Sequence, residues 1–139
     1  MKNLQLSLKK QWFEMTKSGI KTEDYREMSN YWIKRLVDNV TLFGASEKPI
    51  KNVLVSDIGA DSVNFYHVNL DVINRDVVFK KFDTNTITLG YPKSTDSERI
   101  LKLEHKGIEI RTGNPDWGAE PEKLYFVIKH GKNLHLTKK

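Results

Sequence analysis

From residue 77 onward the chain is cut into short β-rich runs, and this limits the fold more than any other feature. Residues 77–82, 86–89, 100–105, 108–111 and 124–128 are rich in Val, Ile, Leu, Phe and Thr, the residue types that suit a pleated, half-buried surface. Gly90-Tyr91-Pro92, Lys106-Gly107, Gly113-Asn114-Pro115 and His130-Gly131 separate them and read as turns. Runs of this length, interrupted this often, cannot form a helical bundle or a long coiled coil. They predict several short strands joined by tight connections.

The first 40 residues differ. Leu4, Leu6 and Leu8 alternate with Asn3, Gln5 and Ser7, which predicts a strand with one buried face. Residues 9–18 follow as a helix carrying Trp12, Phe13, Met15 and Thr16, and Gly19 is a suitable stop. Residues 21–28 read as extended and charge-rich. Ser29 or Asn30 can cap a second helix over 30–38, with Trp32, Ile33, Leu36 and Val37 on its apolar stripe. Between residues 40 and 76 the pattern is mixed: Val53-Leu54-Val55 and Val63-Asn64-Phe65 read as strands, and 68–75 fits strand or helix. Two helices and a series of short strands predict an α+β fold with a small barrel.

The length of 139 residues fits one domain over 1–139, able to bury roughly 68–70% of its unfolded surface. The sequence holds no run of roughly 18 apolar residues, the span a membrane helix needs, and its first residues lack the apolar core of a secretory signal. The expectation is a soluble, cytoplasmic protein without a membrane partner. With no cysteine, disulfides, thiol nucleophiles and cysteine-ligated zinc are excluded. The four histidines, His67, His105, His130 and His135, have no metal-ligand spacing, and no phosphate-binding glycine loop or hydrolase elbow is present. Neither a metal nor a cofactor is expected. The net charge of +5 is unevenly spread. Residues 1–35 hold 8 Lys and Arg against 4 Asp and Glu, residues 36–76 hold 3 against 6, and residues 77–139 hold 12 against 8. Two basic regions flank an acidic one, which suits a polyanionic partner.

The segment Gly19-Ile20-Lys21-Thr22-Glu23-Asp24-Tyr25-Arg26 resembles the signature of ASCH domains, part of the PUA-like superfamily, whose pattern is G-x-K-x-x-E-x-R between the first helix and a strand. Gly19, Lys21 and Arg26 match it, and Asp24 stands where the family has Glu. Also similar to this family are the Leu-rich strand and Trp-Phe helix before the motif and Tyr31-Trp32-x-x-Arg35 after it. So are Thr88-x-Gly90-Tyr91, the run from Gly113 through Pro115, Trp117, Gly118 and Ala119 to Pro121, and Tyr125-Phe126-Val127-Ile128. The resemblance covers 1–40 and 80–131, which leaves about 45–76 as a lineage-specific insertion. It implies a small, partly open β-barrel with the N-terminal helices packed over its opening and the signature residues lining a cleft. It also implies binding of RNA or nucleotides, and in some small relatives hydrolysis of acylated cytidine nucleosides.

In an extended segment Thr22, Asp24 and Arg26 share one face, and Lys21 joins them only from a turn before the strand, which Gly19 permits. Arg26 suits bidentate recognition of phosphate, Lys21 supplies a point charge, and Asp24 can orient Lys21 or accept from a base amine. The same residues can instead form a structural ion-pair network. As an amidohydrolase, the protein would be metal-independent and rely on Lys21, Thr22 and Asp24. The hydrolytic relatives carry Thr three residues after the Lys, where this chain has Asp24, and use a Glu from a barrel strand, for which Glu104 and Glu109 are the candidates. A carboxylate beside Lys21 favours the ammonium over the amine a base requires. As a nucleic-acid or nucleotide-binding module, the protein would use Lys21, Asp24, Arg26, Tyr31, Arg35, Tyr91 and Trp117. Lys9, Lys10, Lys17 and Lys34 would add to the field. Trp12 and Trp32 are placed in the core, and Tyr91 and Trp117, in loops beside glycine, are candidate cleft walls.

Overall fold

The computed structural model describes residues 2–40, 77–93 and 95–134. The stretch read as an insertion, including its two strand candidates, lies outside these residues, as does His135. Among the described residues, β1 (Asn3–Leu8) leads to α1 (Lys10–Lys17), β2 (Glu23–Arg26), α2 (Asn30–Leu36) and β3 (Val37–Val40). After the undescribed stretch come β4 (Val77–Phe79), β5 (Thr84–Leu89), β6 (Ile100–Thr112) and β7 (Leu124–Asn133), with single 3₁₀ turns at Ser97–Arg99 and Pro115–Trp117. Five strands form one sheet in the order β1-β5-β6-β7-β2, and β3 pairs with β4 in a second sheet. The class is α+β. The larger sheet has β1 and β2 as its edges, consistent with a small, partly open barrel. No helix among the described residues is long and apolar enough to cross a membrane.

The chain divides into two compact units. The first comprises Met1–Asp24, Lys81–Gly107 and Ile128–Lys139. Here β1 runs parallel to β5, with Asn3 opposite Thr84 and Leu8 opposite Leu89, and β5 runs antiparallel to β6. The alternation read in β1 holds for Leu4 and Leu6, which are buried. They join Phe13, Ile87, Leu101, Leu103 and Ile128 in the core residues of this unit. Trp12, expected in the core, is only half-buried, and Phe13 and Thr16 are the inward residues of α1.

The second unit comprises Tyr25–Lys80 and Ile108–Val127. Ser29 Oγ accepts from Trp32 N at 3.4 Å and caps α2, as expected. The helix stops at Leu36 because Val37 is already extended, with φ −100° and ψ 129°. This is the backbone region its β-branched side chain favours. The backbone of Lys80 returns to Leu36 O at 2.8 Å, and its Nζ donates to Lys34 O at 2.7 Å. Phe79 meets Phe126 edge to face, with centroids 6.0 Å apart.

Two expected turns are absent. β6 continues through Lys106-Gly107 for 13 residues, and β7 continues through His130-Gly131 for 10. Gly107 is accommodated within β6 at φ 121°, a backbone angle that disfavours other residues. Gly131 has a different reason. A Cβ there would collide with Glu104 Oε1 and lie 2.9 Å from Lys106 Cε, so this glycine permits close packing within the sheet. Gly113, where a turn was expected, is also packed: its Cβ would lie 2.6 Å from Ala119 Cβ and 2.8 Å from the Tyr25 ring. The substitution Gly113→Ala should therefore destabilise the protein by about 1–3 kcal/mol, as overpacking of a tight site does. Gly131→Ala should cost less, because the tips of Glu104 and Lys106 can move. Urea denaturation midpoints of the two variants would check the ranking.

Candidate functional site

The motif region begins at the end of α1. Ser18 N donates to Glu14 O at 3.0 Å and Gly19 N to Thr16 O at 3.2 Å. Gly19 then takes φ 87°, and Lys21 N returns to Met15 O at 3.0 Å. This left-handed closure satisfies the last carbonyls of the helix. It also sets Lys21 in the turn before β2, where the alternation argument required it. Lys21 Nζ donates to Glu23 O at 2.7 Å and lies 3.2 Å from Asp24 Oδ1. Both side chains are buried, with 1% and 7% of their surface exposed. Lys21 and Asp24 therefore form a closed ion pair on the turn and the strand that follows.

A pocket of about 260 Å³ opens beside this pair within the first unit. Lys21, Thr22 and Gly19 line it from the motif, Thr16 and Lys17 from α1, and Leu103, His130 and Asn133 from β6 and β7. Thr22 is exposed at the pocket, and its carbonyl accepts from His130 N at 3.0 Å. Of the two glutamates considered for hydrolysis, Glu104 of the first unit accepts from Lys132 N at 3.4 Å, and its carboxyl lies below the usual range through that bond and Lys106. Glu109 of the second unit is paired with Arg111 at 2.6 Å.

Sequence reading gave His130 no role, yet its ring is held by the buried Asn85 amide, which also reaches His105. The Asn85 side chain is fully buried. It lies 2.8 Å from His130 Nδ1 through Nδ2 and 2.7 Å from His105 Nδ1 through Oδ1. Burial pushes the His130 pKa down to about 4, with Lys21 and His105 adding to the effect and Asp24 opposing it. Burial also lowers His105, with Asp83 opposing. The only signal in the sequence was Asn85 between two threonines in a β-rich stretch, an amide where alternation would place either a surface or a core residue.

The other expected residues lie elsewhere. Arg26 sits in the second unit with its guanidinium carbon 5.0 Å from the Trp32 ring centroid. Arg35 lies 5.3 Å from the Tyr31 ring and 5.6 Å from that of Trp32. Tyr31 meets Trp32 edge to face at 5.1 Å and is 59% exposed. Trp32, expected in the core, is half-buried beneath these cations. Trp117 is half-buried in the loop of residues 113–121. That loop is pinned by two tyrosine hydroxyls: Tyr25 Oη accepts from Asn114 N, and Tyr125 Oη from Glu120 N, both at 2.9 Å. Tyr91, in the first unit, stands 93% exposed after β5 and is not part of the pocket wall. Among the described residues no group of three or more His, Asp or Glu is placed to hold a metal. Comparison of the chain with family models, with curated proteins and with solved structures finds no match.

Two predictions follow from these geometries. Lys21→Ala removes the ammonium that lies 3.2 Å from buried Asp24 and should cost about 3–5 kcal/mol, whereas the double replacement Lys21→Met, Asp24→Leu should recover most of it. Urea unfolding of the three proteins measures both. His130 binds its proton less readily in the folded state than at the ordinary value of 6.5. The unfolded chain therefore takes up more protons between pH 6.5 and about 4, and stability falls as pH falls through that window. The part of this loss due to His130 should reach about 3 kcal/mol, and His130→Phe should show a correspondingly smaller loss, with His105, whose pKa is also lowered, keeping a dependence of the same sign; unfolding midpoints across the window would show this.

Proposed function

We propose that this protein is a nucleic-acid or nucleotide-binding module of the PUA-like, ASCH type that recognises single-stranded or modified RNA. The observation that carries this reading is the cluster on α2 and the end of β2. Arg26 and Arg35 are held over the rings of Trp32 and Tyr31. A guanidinium stacked on an aromatic face is pre-organised, so it loses less freedom when it meets a phosphate. The exposed Tyr31 ring beside it offers a face on which an unpaired base can stack. In the first unit, the pocket at the motif is lined by Lys21 and Thr22.

A second reading, a metal-independent amidohydrolase acting on acylated cytidine nucleosides, has one observation in its favour: Lys21 and Thr22 line the same pocket. Against it, Lys21 Nζ is engaged by Glu23 O and Asp24. Conversion of N4-acetylcytidine to cytidine, followed by chromatography, distinguishes the two readings. Turnover that Thr22→Val abolishes would replace the binding reading.

Filter binding of short, unstructured RNAs across a salt series tests the leading proposal. Affinity should fall linearly on a log–log plot, and Arg35→Ala should weaken binding and reduce the slope by about 0.7. Arg35 is the better probe because Lys21→Ala perturbs the fold itself. An affinity indifferent to salt, to Arg26→Ala and to Arg35→Ala would refute the proposal.

A further inference from the structure

The outward face of β6 and β7 in the first unit is strongly basic. In β6, Leu101 and Leu103 are buried, Lys102 and Lys106 are exposed and Glu104 is half-buried. Alternation therefore places Lys102, Glu104 and Lys106 on one face, opposite the two leucines. β7 supplies the rest. A Cβ on Gly131 would collide with the Glu104 carboxylate and lie 2.9 Å from Lys106 Cε, so Gly131 belongs to the same face. Lys129, two residues earlier, shares it, and its Cε lies 3.9 Å from the place of a Gly107 Cβ. Lys132 N donates to Glu104 Oε1 at 3.4 Å, and Lys106 Nζ lies 3.5 Å from the same oxygen. The hydrogen bond from Lys132 and the charge of Lys106, joined by that of the Lys132 ammonium, hold the Glu104 carboxyl below its usual range.

Lys102, Lys106, Lys129 and Lys132 thus stand around a single carboxylate, and that carboxylate is taken up by Lys106 and the Lys132 backbone. Among the described residues, Lys102 and Lys132 are exposed and take part in no ion pair. We propose that this face binds the phosphate backbone of a nucleic-acid strand without reading its bases, with Lys102 and Lys132 as the main contacts. The inference rests on the nucleic-acid-binding reading and gives it a second surface. Charge complementarity selects the partner. Lysine is a point charge on a flexible stem, which suits a row of phosphates better than one fixed planar group. Lys102 and Lys106 are four positions apart, about 13 Å along an extended strand, so the face is long enough for more than one phosphate. Its side chains are Lys and Glu around a glycine, and they offer no ring on which a base could stack. Contacts of this kind position a strand and carry no sequence information. A lipid surface is firmly bound by such lysines only when a second, apolar anchor accompanies them, and these side chains provide none.

The test is fluorescence anisotropy of the full chain across a salt series, with two labelled RNAs of roughly 15 nucleotides, oligo-U and a mixed sequence. The double variant Lys102→Gln, Lys132→Gln should keep the urea midpoint of the unaltered protein. It should bind both RNAs roughly tenfold more weakly near physiological salt and lower the salt slope by about 1.4. Glu104→Gln keeps an acceptor for Lys132 N and removes the one repulsive charge, so it should bind both RNAs roughly two- to fivefold more tightly. Unchanged affinity and slope in the double variant, a loss confined to one of the two sequences, or weaker binding by Glu104→Gln would each overturn the inference. So would binding to phosphatidylserine vesicles that depends on the two lysines while neither RNA is bound. Arg26→Ala and Arg35→Ala separate this face from the cluster on α2. A loss in those variants but not in the lysine pair would end the inference and leave the cluster reading standing. A loss in the lysine pair alone would keep the basic face and count against the cluster.

Discussion

The first unit depends on keeping a polar strand dry. All five residues of β5 from Thr84 to Thr88 are buried, and four of them are polar. Such a strand is tolerated only if each side chain finds a partner. Thr84 and Thr86 both donate to Asn3 Oδ1, at 2.8 and 2.6 Å, which ties β5 to β1 in a single register. Thr88 turns back to Gly90 O at 2.8 Å and closes the strand end. Asn85 reaches His105, Lys129 and His130, so it links the strand to both β6 and β7. A slip of one residue would move these groups to the other face and leave several unpaired. The polar pattern therefore specifies register here, while Leu4, Leu6, Ile87 and Leu103 supply the apolar burial.

The closed end of α1 has a similar double role. The left-handed Gly19 and the return of Lys21 to Met15 finish the helix. They also bury a cation that then requires Asp24. A buried ion pair adds little net stability compared with apolar residues, but it tolerates no single loss. Its value here is geometric, since it holds the Gly19–Thr22 turn that forms one side of the pocket. In the second unit the tyrosine hydroxyls act in an analogous way, fixing the loop after β6 by accepting from its backbone N–H groups.

Much of the architecture was legible in the residues. The alternation of β1, the α1 stop at Gly19, the Ser29 cap and the turn placing Lys21 ahead of β2 are local effects, decided within a few residues. Two glycines read as turns lie inside strands for different reasons: Gly107 sits in β6 at φ 121°, whereas Gly131 is present in β7 because Glu104 and Lys106 pack where its Cβ would be. Close approach by a distant strand leaves no local trace. Trp12 and Trp32 were likewise placed in the core from helical spacing alone. Trp32 is instead half-covered by arginines, one of which lies outside its own helix.

The sequence by itself determined the class of structure, the stop of α1 at Gly19, the cap of α2 at Ser29 and the place of Lys21 before β2, because turns and caps are short-range; which of its possible roles Asp24 takes was decided by the structure. It also excluded thiol chemistry through its lack of cysteine. Only the tertiary structure decided that β1 lies parallel to β5 and that His105, Asn85 and His130 form one buried chain. These residues stand 20 and 45 positions from one another along the chain. Their hydrogen bonds arise only when strands distant in sequence are placed side by side.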